Sequence, residues 1–361
     1  MSVHVLIAGG GTGGHVFPAL SVARELQDRA SARVTFVGTS RGIESRVVPA
    51  AGFALETVRA FPIQRQNPWL MMRGALTASL AFFDCERLLA RLRPDVVLSV
   101  GGYAAGPVSL VAAAKRIPLA LLEPNCVLGL TQRLLLPFAK RLYVAWEELA
   151  AQSSKAIVTG VPVREPFVPV PYVPSSPPNV LVLGGSQGAR ALNERIPVAL
   201  AQVRSAVGAL EVVHQTGEAE CDAVVDRYRL AEFATARVVP FIDDVASAVA
   251  SADLVIARSG AATVAEVAAI GRASILIPFP FAADDHQLKN ALALERVGGA
   301  FAMRQEQASV DRLAIAIEGL LSDRARLISM ARASSAHGKP QARADIAKDL
   351  LRWAMAERKE P

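Results

Sequence analysis

The sequence predicts an α/β protein built as two Rossmann-like, doubly wound domains. Three observations carry that prediction. Short β-rich runs alternate with helical patterns along the whole chain. Several of these runs are continuously apolar, as parallel strands buried on both faces require. Strand, glycine-rich turn and helix also follow one another twice, from residue 4 and again from residue 179. At 361 residues the chain can form two full cores, and such a pair of domains predicts a ligand cleft at the carboxyl ends of the strands.

In the first half the predicted strands are HVLIA, RVTFVG, DVVLSVG, LALLE and RLYVA. In the second they are NVLVLG, EVVHQ, RVVPF, DLVIA and SILIPF. Between the halves, residues 160–179 hold seven prolines. A segment so poor in N–H donors is neither helix nor central strand, so it reads as a linker or extended crossover. The expected domains are therefore 1–163 and 164–340. The remaining stretch, 341–361, has an amphipathic helical pattern.

Composition narrows the class. Hydrophobic residues make up 52% and charged residues 20%, ordinary for a globular protein. No apolar run reaches the ~18 residues a membrane span needs. The amino terminus has no basic segment or cleavage site of a signal peptide. Cys85, Cys126 and Cys221 are widely spaced and form no metal or disulfide pattern, which makes a cytoplasmic location the expectation. Residues 1–163 hold 17 Lys and Arg against 10 Asp and Glu, whereas 164–361 hold 22 against 23. The basic half suits an anionic membrane surface or an acidic ligand. Aromatics at 6% and the lack of a recognisable module rank nucleic acid last.

The stretch GGGTGGHVFPAL, residues 9–20, puts Gly9, Gly11 and Gly14 in register with the dinucleotide fingerprint. That fingerprint also wants an acidic residue at the end of the second strand, to hold a ribose. Thr39 and Ser40 stand there instead, and Glu44 lies beyond a turn. His15 sits where the helix should start. A helix N-terminus disfavours imidazolium, so a neutral ring able to take a proton from a hydroxyl is expected. The second loop, GGSQGA at 184–189, offers free N–H groups and a helix start to an anion.

Two further stretches carry candidate ligands. In RSGAATVAEVAAIG, residues 258–271, Ser259 and Gly260 form a turn, and Thr263 and Glu266 lie one helical turn apart. Glu266 suits either a favourable first-turn charge or a bidentate acceptor for a ribose diol. Residues 279–295 place Asp285, His286, Gln287 and Asn290 at another strand-to-helix junction, where the Gln287 amide can read sugar hydroxyls.

Taken together, the chain resembles the MurG family, the UDP-N-acetylglucosamine:N-acetylmuramyl-(pentapeptide) pyrophosphoryl-undecaprenol N-acetylglucosamine transferases. GGGTGGHVFPAL, GGYAAGP, EPNCVLGLTQR, GVPVR, GGSQGAR, HQTG, FIDD, RSGAATVAE and DDHQLKNALALE occur in family order. The resemblance implies a GT-B architecture, with helix 341–361 returning to the first domain. It implies inverting transfer of N-acetylglucosamine from UDP-N-acetylglucosamine to the muramyl 4-hydroxyl of lipid I, giving lipid II and UDP.

The resemblance also assigns residues. Arg164, Ser186, Ile242, Ala261, Ala262, Thr263, Glu266 and Gln287 would contact the nucleotide sugar. Thr12, Gly13, Gly14, His15 and Asn125 would lie on the acceptor side of the reaction centre. His15 is the expected general base, with Asn125 or a water as the other possibility. No Asp-x-Asp occurs in the chain, so no metal and no cofactor is expected. The charge on UDP would fall to helix dipoles, N–H groups and Arg164. The chain departs from the family at Val161 (usually Asn), Pro124 (usually Gln) and Ala262 (often Leu), and loop 59–68 lacks the family's glycines.

Three other functions share some of these features. A different lipid glycosyltransferase of the same fold would share the donor residues. A nicotinamide-dependent oxidoreductase would use the first glycine loop but lacks the ribose acid. A non-catalytic nucleotide-sugar binding protein would not need both His15 and Glu266.

Residues 67–93 are helical in pattern after Pro68. Trp69, Met72, Leu76, Leu80 and Phe83 make one apolar stripe, and Met71, Ala75, Ala78 and Phe82 a second. Two stripes exceed what one core face requires. Arg65, Arg73, Arg87, Arg91 and Arg93 flank them. The expectation is that one stripe packs inward and the other meets an anionic bilayer, giving a peripheral protein on the inner face of the cell membrane.

Overall fold

In the computed structural model, which describes residues 2–59, 81–185, 187–233 and 235–358, the first half forms seven strands and six helices. They are β1 (His4–Gly9), α1 (Gly13–Ala30), β2 (Arg33–Gly38), α2 (Glu44–Ala50), β3 (Ala54–Thr57), α3 (described over 81–92), β4 (Val96–Gly101), α4 (Ala105–Ala114), β5 (Leu119–Glu123), α5 (Leu130–Leu135), β6 (Arg141–Val144), α6 (Glu147–Ala150) and β7 (Ala156–Val158). The strands are all parallel, in the order β3-β2-β1-β4-β5-β6-β7. The order reverses between β1 and β4, the kind of crevice where doubly wound sheets hold ligands.

The second half repeats the plan with β8 (Asn179–Leu183), α7 (Arg190–Val207), β9 (Glu211–Gln215), α8 (Cys221–Leu230), β10 (Arg237–Val239), α9 (Val245–Ser251), β11 (Leu254–Ala257), α10 (Ala261–Ile270), β12 (Ala273–Leu276), α11 (His286–Arg296), β13 (Ala300–Ala302), α12 (Val310–Leu321) and α13 (Arg324–His337). Its six parallel strands run β10-β9-β8-β11-β12-β13, reversing between β8 and β11.

All ten strands predicted from apolar runs are present. Three more, β3, β7 and β13, are not legible as such runs. Each is three or four residues long and closes a sheet edge, where one side stays partly exposed and no continuous apolar run is needed.

The chain divides into two compact units, Met1–Arg164 with Gln341–Pro361, and Glu165–Pro340. The last helix, α14 (Ala342–Glu357), belongs to the first unit. Its Ile346, Ala347, Leu350 and Ala354 are fully buried in one core with Val22 and Leu26 of α1. Burial on that scale contributes ~1.5–3 kcal/mol for each large aliphatic side chain. Polar contacts fix its register. Tyr143 donates to Asp349 at 2.7 Å, and Arg358 bonds Asp95 through two nitrogens.

The proline-rich segment is strapped to the second unit by side chains in place of a strand ladder. Asp253 accepts from the Tyr172 hydroxyl, the Ser175 N–H and hydroxyl, and the Asn179 N–H. Arg272 donates to the Val170 carbonyl at 2.9 Å.

In α3 the buried residues Ala81, Cys85, Leu88, Leu89 and Leu92 form the core face. Phe82 and Phe83, one from each predicted stripe, are 42% and 60% exposed. Neither Phe82 nor Phe83 packs into the core, while buried Cys85, Leu89 and Leu92 continue the spacing of the second stripe. The stripe residues at 69–80, with Arg65 and Arg73, lie outside the described residues. No helix among the described residues is long and apolar enough to cross a membrane.

Candidate active site

In the first unit, two glycine loops meet at the carboxyl ends of β1 and β4. The Gly10 N–H donates to the Gly101 carbonyl at 3.2 Å. Gly102 has φ +88°, and a Cβ there would stand 2.3 Å from the Gly10 carbonyl oxygen. No side chain fits, so GGGTGG and GGYAAGP, distant in sequence, form one floor.

Helix α1 rises from that floor. Its N-cap is Thr12, whose carbonyl accepts from the N–H groups of His15 and Val16. Thr12 Oγ1 lies 3.2 Å from His15 Nδ1, which orients the half-buried ring. His15 Nε2 is 3.4 Å from where a Gly101 Cβ would be, so the ring rests against the second glycine loop. Thr12, Gly13, Gly14 and His15 are thus one structural group.

Asn125 lies at the same carboxyl end of the sheet, on the turn after β5. Glu123, 2% exposed, accepts from the Asn125 N–H and side-chain amide and from the Gly129 N–H, each at 3.0 Å. Burial raises the Glu123 carboxyl above its ordinary value, against the pull of those three bonds. Pro124, standing between them, is buried and has no N–H to satisfy. The family departure there leaves the Glu123–Asn125 contact intact.

Glu44 was set aside in the sequence as lying beyond a turn. The structure folds it back under the first loop, 1% exposed. Its carboxylate accepts from the Gly11 N–H at 2.7 Å, and from the Thr39 N–H and hydroxyl at 2.9 Å. A loop amide that a dinucleotide's diphosphate would need is therefore taken by the protein's own anion. That weighs against the oxidoreductase alternative, as does the missing ribose acid.

In the second unit, the turn at 184–188 packs on the turn after β9. Gly188 has φ +76°, and a Cβ there would lie 2.0 Å from the Thr216 carbonyl oxygen. Behind the contact, buried His214 reaches the Tyr228 hydroxyl at 3.1 Å and Asn193 Oδ1 at 3.2 Å. Asn193 donates to the Thr216 carbonyl at 3.0 Å. Burial pushes the His214 imidazole down to about 3, so the ring is neutral. This network ties HQTG to GGSQGAR. Ser186 itself lies outside the described residues.

Helix α10 starts after Gly260 at the carboxyl end of β11, across the switch point from the 184–188 turn. Ala261, Ala262 and Thr263 form its first turn, whose N–H groups have no partner within the helix. Glu266 is the sixth helical residue, in the second turn, where the dipole effect has decayed. The first-turn-charge possibility therefore falls away; the carboxylate is half-buried.

Gln287 is the second residue of α11. Its Oε1 accepts from the Phe279 N–H at 2.9 Å, which turns its two amide protons away from that bond. Ser259 donates to the Gln287 carbonyl at 2.8 Å and receives Asn290 Nδ2 on its own carbonyl at 3.2 Å. Arg258 pins the same loop through the carbonyls of Ile277 and Pro278, each at 3.1 Å. Asp284 and Asp285 both adopt left-handed φ, +52° and +53°, in the turn that feeds α11. Strained backbone of this kind persists where surroundings impose it.

Ile242 is half-buried on the loop between β10 and α9, whose N-cap is Asp244, accepting from the Ser247 N–H at 3.0 Å. Arg164 ends the first unit, its guanidinium 5.9 Å from the Phe17 ring centre of α1. Val161, where the family pattern has Asn, is a buried apolar residue. Among the described residues, no group of His, Cys, Asp and Glu has the geometry to hold a metal ion.

Glu44, Glu123, Asn193 and Arg258 are the supporting residues that sequence reasoning did not assign. Each acts by folding back onto a backbone amide or carbonyl. For Glu44, Glu123 and Asn193 the signal was an acidic or amide residue within a few positions of a turn; Arg258 carried none beyond its place before Ser259 and Gly260.

The chain matches the model of the glycosyltransferase family 28 N-terminal domain over residues 5–144 and that of the C-terminal domain over 179–350. A protein of Sorangium cellulosum named UDP-N-acetylglucosamine--N-acetylmuramyl-(pentapeptide) pyrophosphoryl-undecaprenol N-acetylglucosamine transferase is 49% identical, over 99% of this chain and 90% of its own length. A protein of Syntrophotalea carbinolica with the same name is 44% identical, over 92% of this chain and 94% of its own. The crystal structure of Acinetobacter baumannii MurG superposes with a TM-score of 0.81 at 34% identity, covering 97% of this chain and 99% of that one. With both domains matched and near-half identity over almost its whole length, the chain belongs to the MurG family of N-acetylglucosamine transferases.

Proposed function

We propose that this protein transfers N-acetylglucosamine from UDP-N-acetylglucosamine to the muramyl 4-hydroxyl of lipid I, releasing lipid II and UDP with inversion at the anomeric carbon. The observation that carries the activity is 49% identity over 99% of the chain to a transferase of that name. The division of labour within the site is what the family resemblance implies, and the loop geometry supports it.

The second unit holds the donor. Glu266 accepts the ribose hydroxyls, and the backbone at Ile242 meets the uracil edge. The 184–188 turn, with Ser186, and the N–H groups of Ala261, Ala262 and Thr263 meet the diphosphate. Gln287, its amide protons turned outward, donates to sugar hydroxyls. Arg164 adds positive charge where UDP departs. In the first unit, Thr12 holds the His15 ring as a neutral base. As His15 takes the hydroxyl proton, the acceptor oxygen bonds to C1. The C1–O bond to phosphate breaks, and UDP leaves with its electron pair. Asn125 orients the acceptor. Fixed N–H donors placed where charge develops are typically worth ~2.7–4 kcal/mol each in catalysis.

The acceptor carries an undecaprenyl chain, so the enzyme works at a bilayer surface on the side where UDP-sugars are available. Exposed Phe82 and Phe83, with exposed Arg87, Arg91 and Arg93 near them, support peripheral docking of the first unit to anionic lipid. Each basic residue near such a surface contributes ~1 kcal/mol.

UDP release measured with a short-chain lipid I analogue, and in parallel with diacylglycerol, tests the assignment. Release with the first and none with the second is expected. The reverse would transfer the protein to another lipid glycosyltransferase activity.

A further inference from the structure

A carboxylate buried among glycines needs a reason. Glu44 begins α2, and three glycines surround its head group. A Cβ on Gly10 would lie 2.3 Å from the Glu44 carboxyl carbon, one on Gly38 2.5 Å from its Cγ, and one on Gly42 2.0 Å from Oε2. The three positions come from the β1 turn, the end of β2 and the approach to α2. Together they form a socket for one anion. The donors are the Gly11 N–H, the Thr39 N–H and the Thr39 hydroxyl, and Gly42 closes the socket by donating to Thr39 Oγ1 at 3.1 Å. Burial alone would raise the carboxyl, yet these bonds hold it below its ordinary value, so it is ionised at neutral pH.

The socket is joined to the catalytic floor by two residues of chain. Gly11, held by Glu44, precedes Thr12. Thr12 caps α1 with its carbonyl and faces His15 Nδ1 with its hydroxyl. Gly11 has φ +91°, and among the described residues nothing lies within 4 Å of where its Cβ would stand. We propose that Glu44 is a positioning residue for the transfer reaction: an internal anion, seated in a nucleotide-type glycine turn, that sets the height of the Thr12–His15 step against the acceptor hydroxyl. It touches neither substrate. The proposal rests on the function assigned to His15 above.

The test removes the anion and then returns it. In Glu44→Ala, kcat for transfer to a short-chain lipid I analogue is expected to fall about a hundredfold, the scale of an ångström-level misplacement at a reaction centre. KM for UDP-N-acetylglucosamine should stay within twofold, because the proposed donor residues other than Arg164 lie in the other unit. Added sodium formate, small enough for the vacated socket, should restore at least a tenth of the lost rate. Sodium chloride at equal ionic strength should not. Amide exchange of residues 9–16 should quicken in the variant and slow again with formate.

A folded variant with kcat within threefold of the parent overturns the proposal. So does a loss that formate does not relieve. If Glu44→Ala does not fold, Glu44→Gln replaces it, keeping the volume and one acceptor oxygen. At least a tenfold fall in kcat with unchanged donor KM is then expected, and an unchanged kcat overturns the idea. If the parent itself transfers no sugar, the assigned function has failed, and the exchange measurement alone decides whether Glu44 holds the loop.

Discussion

Replacing Glu266 by Ala separates ligand binding from folding at the donor site. Glu266 sits in the second turn of α10, on a half-buried position and past the reach of the helix dipole. Ala is the better helix former by a few tenths of a kcal/mol. Helix propensity and the dipole therefore give the helix itself no reason to lose stability on the change. The ligand should not be indifferent. A carboxylate accepting from a ribose diol makes charged hydrogen bonds, and losing such bonds costs ~1.5–3 kcal/mol. At 1.4 kcal/mol per decade, Kd for UDP should rise about ten- to hundredfold. Calorimetric titration of UDP into parent and variant reads this directly, with Tm recorded on the same samples. A folded variant with parental UDP affinity would refute the ribose assignment. A large fall in Tm would give Glu266 a structural role in place of the ribose contact.

Four other outcomes follow from the same geometry. His15→Ala should lower kcat by about 10²–10⁴ with little change in UDP affinity, and near-normal turnover would move the base elsewhere. Gly188→Ala adds a Cβ 2.0 Å from a backbone oxygen at φ +76°, so it should destabilise the second unit and abolish measurable UDP binding; a titration with parental affinity would contradict that. His214 has a folded value near 3 against 6.5 unfolded, so the unfolded state takes up its proton first; stability is full above pH 6.5 and falls by ~1.4 kcal/mol per unit as pH drops below it. Denaturant melts between pH 6.5 and 5 should show that slope, and His214→Gln should flatten it. Phe82→Ser with Phe83→Ser should reduce binding to anionic vesicles and leave UDP binding intact, whereas parental vesicle binding would place the docking surface elsewhere.

What was legible in the sequence was whatever shows as a local pattern. Continuous apolar runs such as NVLVL and VVLSV mark strands buried on both faces, and the two strand–glycine–helix starts mark the switch points of both sheets. The edge strands β3, β7 and β13 carry no such run, because an edge needs only one covered side. The contacts that hold the site lie beyond a sequence window. Glu44 reaches Gly11 across 33 positions, and Gly102 faces Gly10 across more than ninety. A glycine motif announces that backbone must come close to something. It does not say whether that something is a ligand, another loop or a carboxylate of the same chain. Here the first loop serves the last two, and Gly188 serves a neighbouring loop in the second unit. Glu266 illustrates the opposite limit. Its spacing from Thr263 was readable, but only the observed start of α10 at Ala261 removes the first-turn charge.

The most direct test of the assigned reaction is the product itself. UDP-N-acetylglucosamine and a short-chain lipid I analogue should yield one disaccharide-lipid and one equivalent of UDP. Proton NMR of that product should show a β linkage from the anomeric carbon to the muramyl 4-hydroxyl, made from the α-linked donor. An α linkage, a linkage to another hydroxyl, or UDP released without a disaccharide would contradict inverting transfer by this protein.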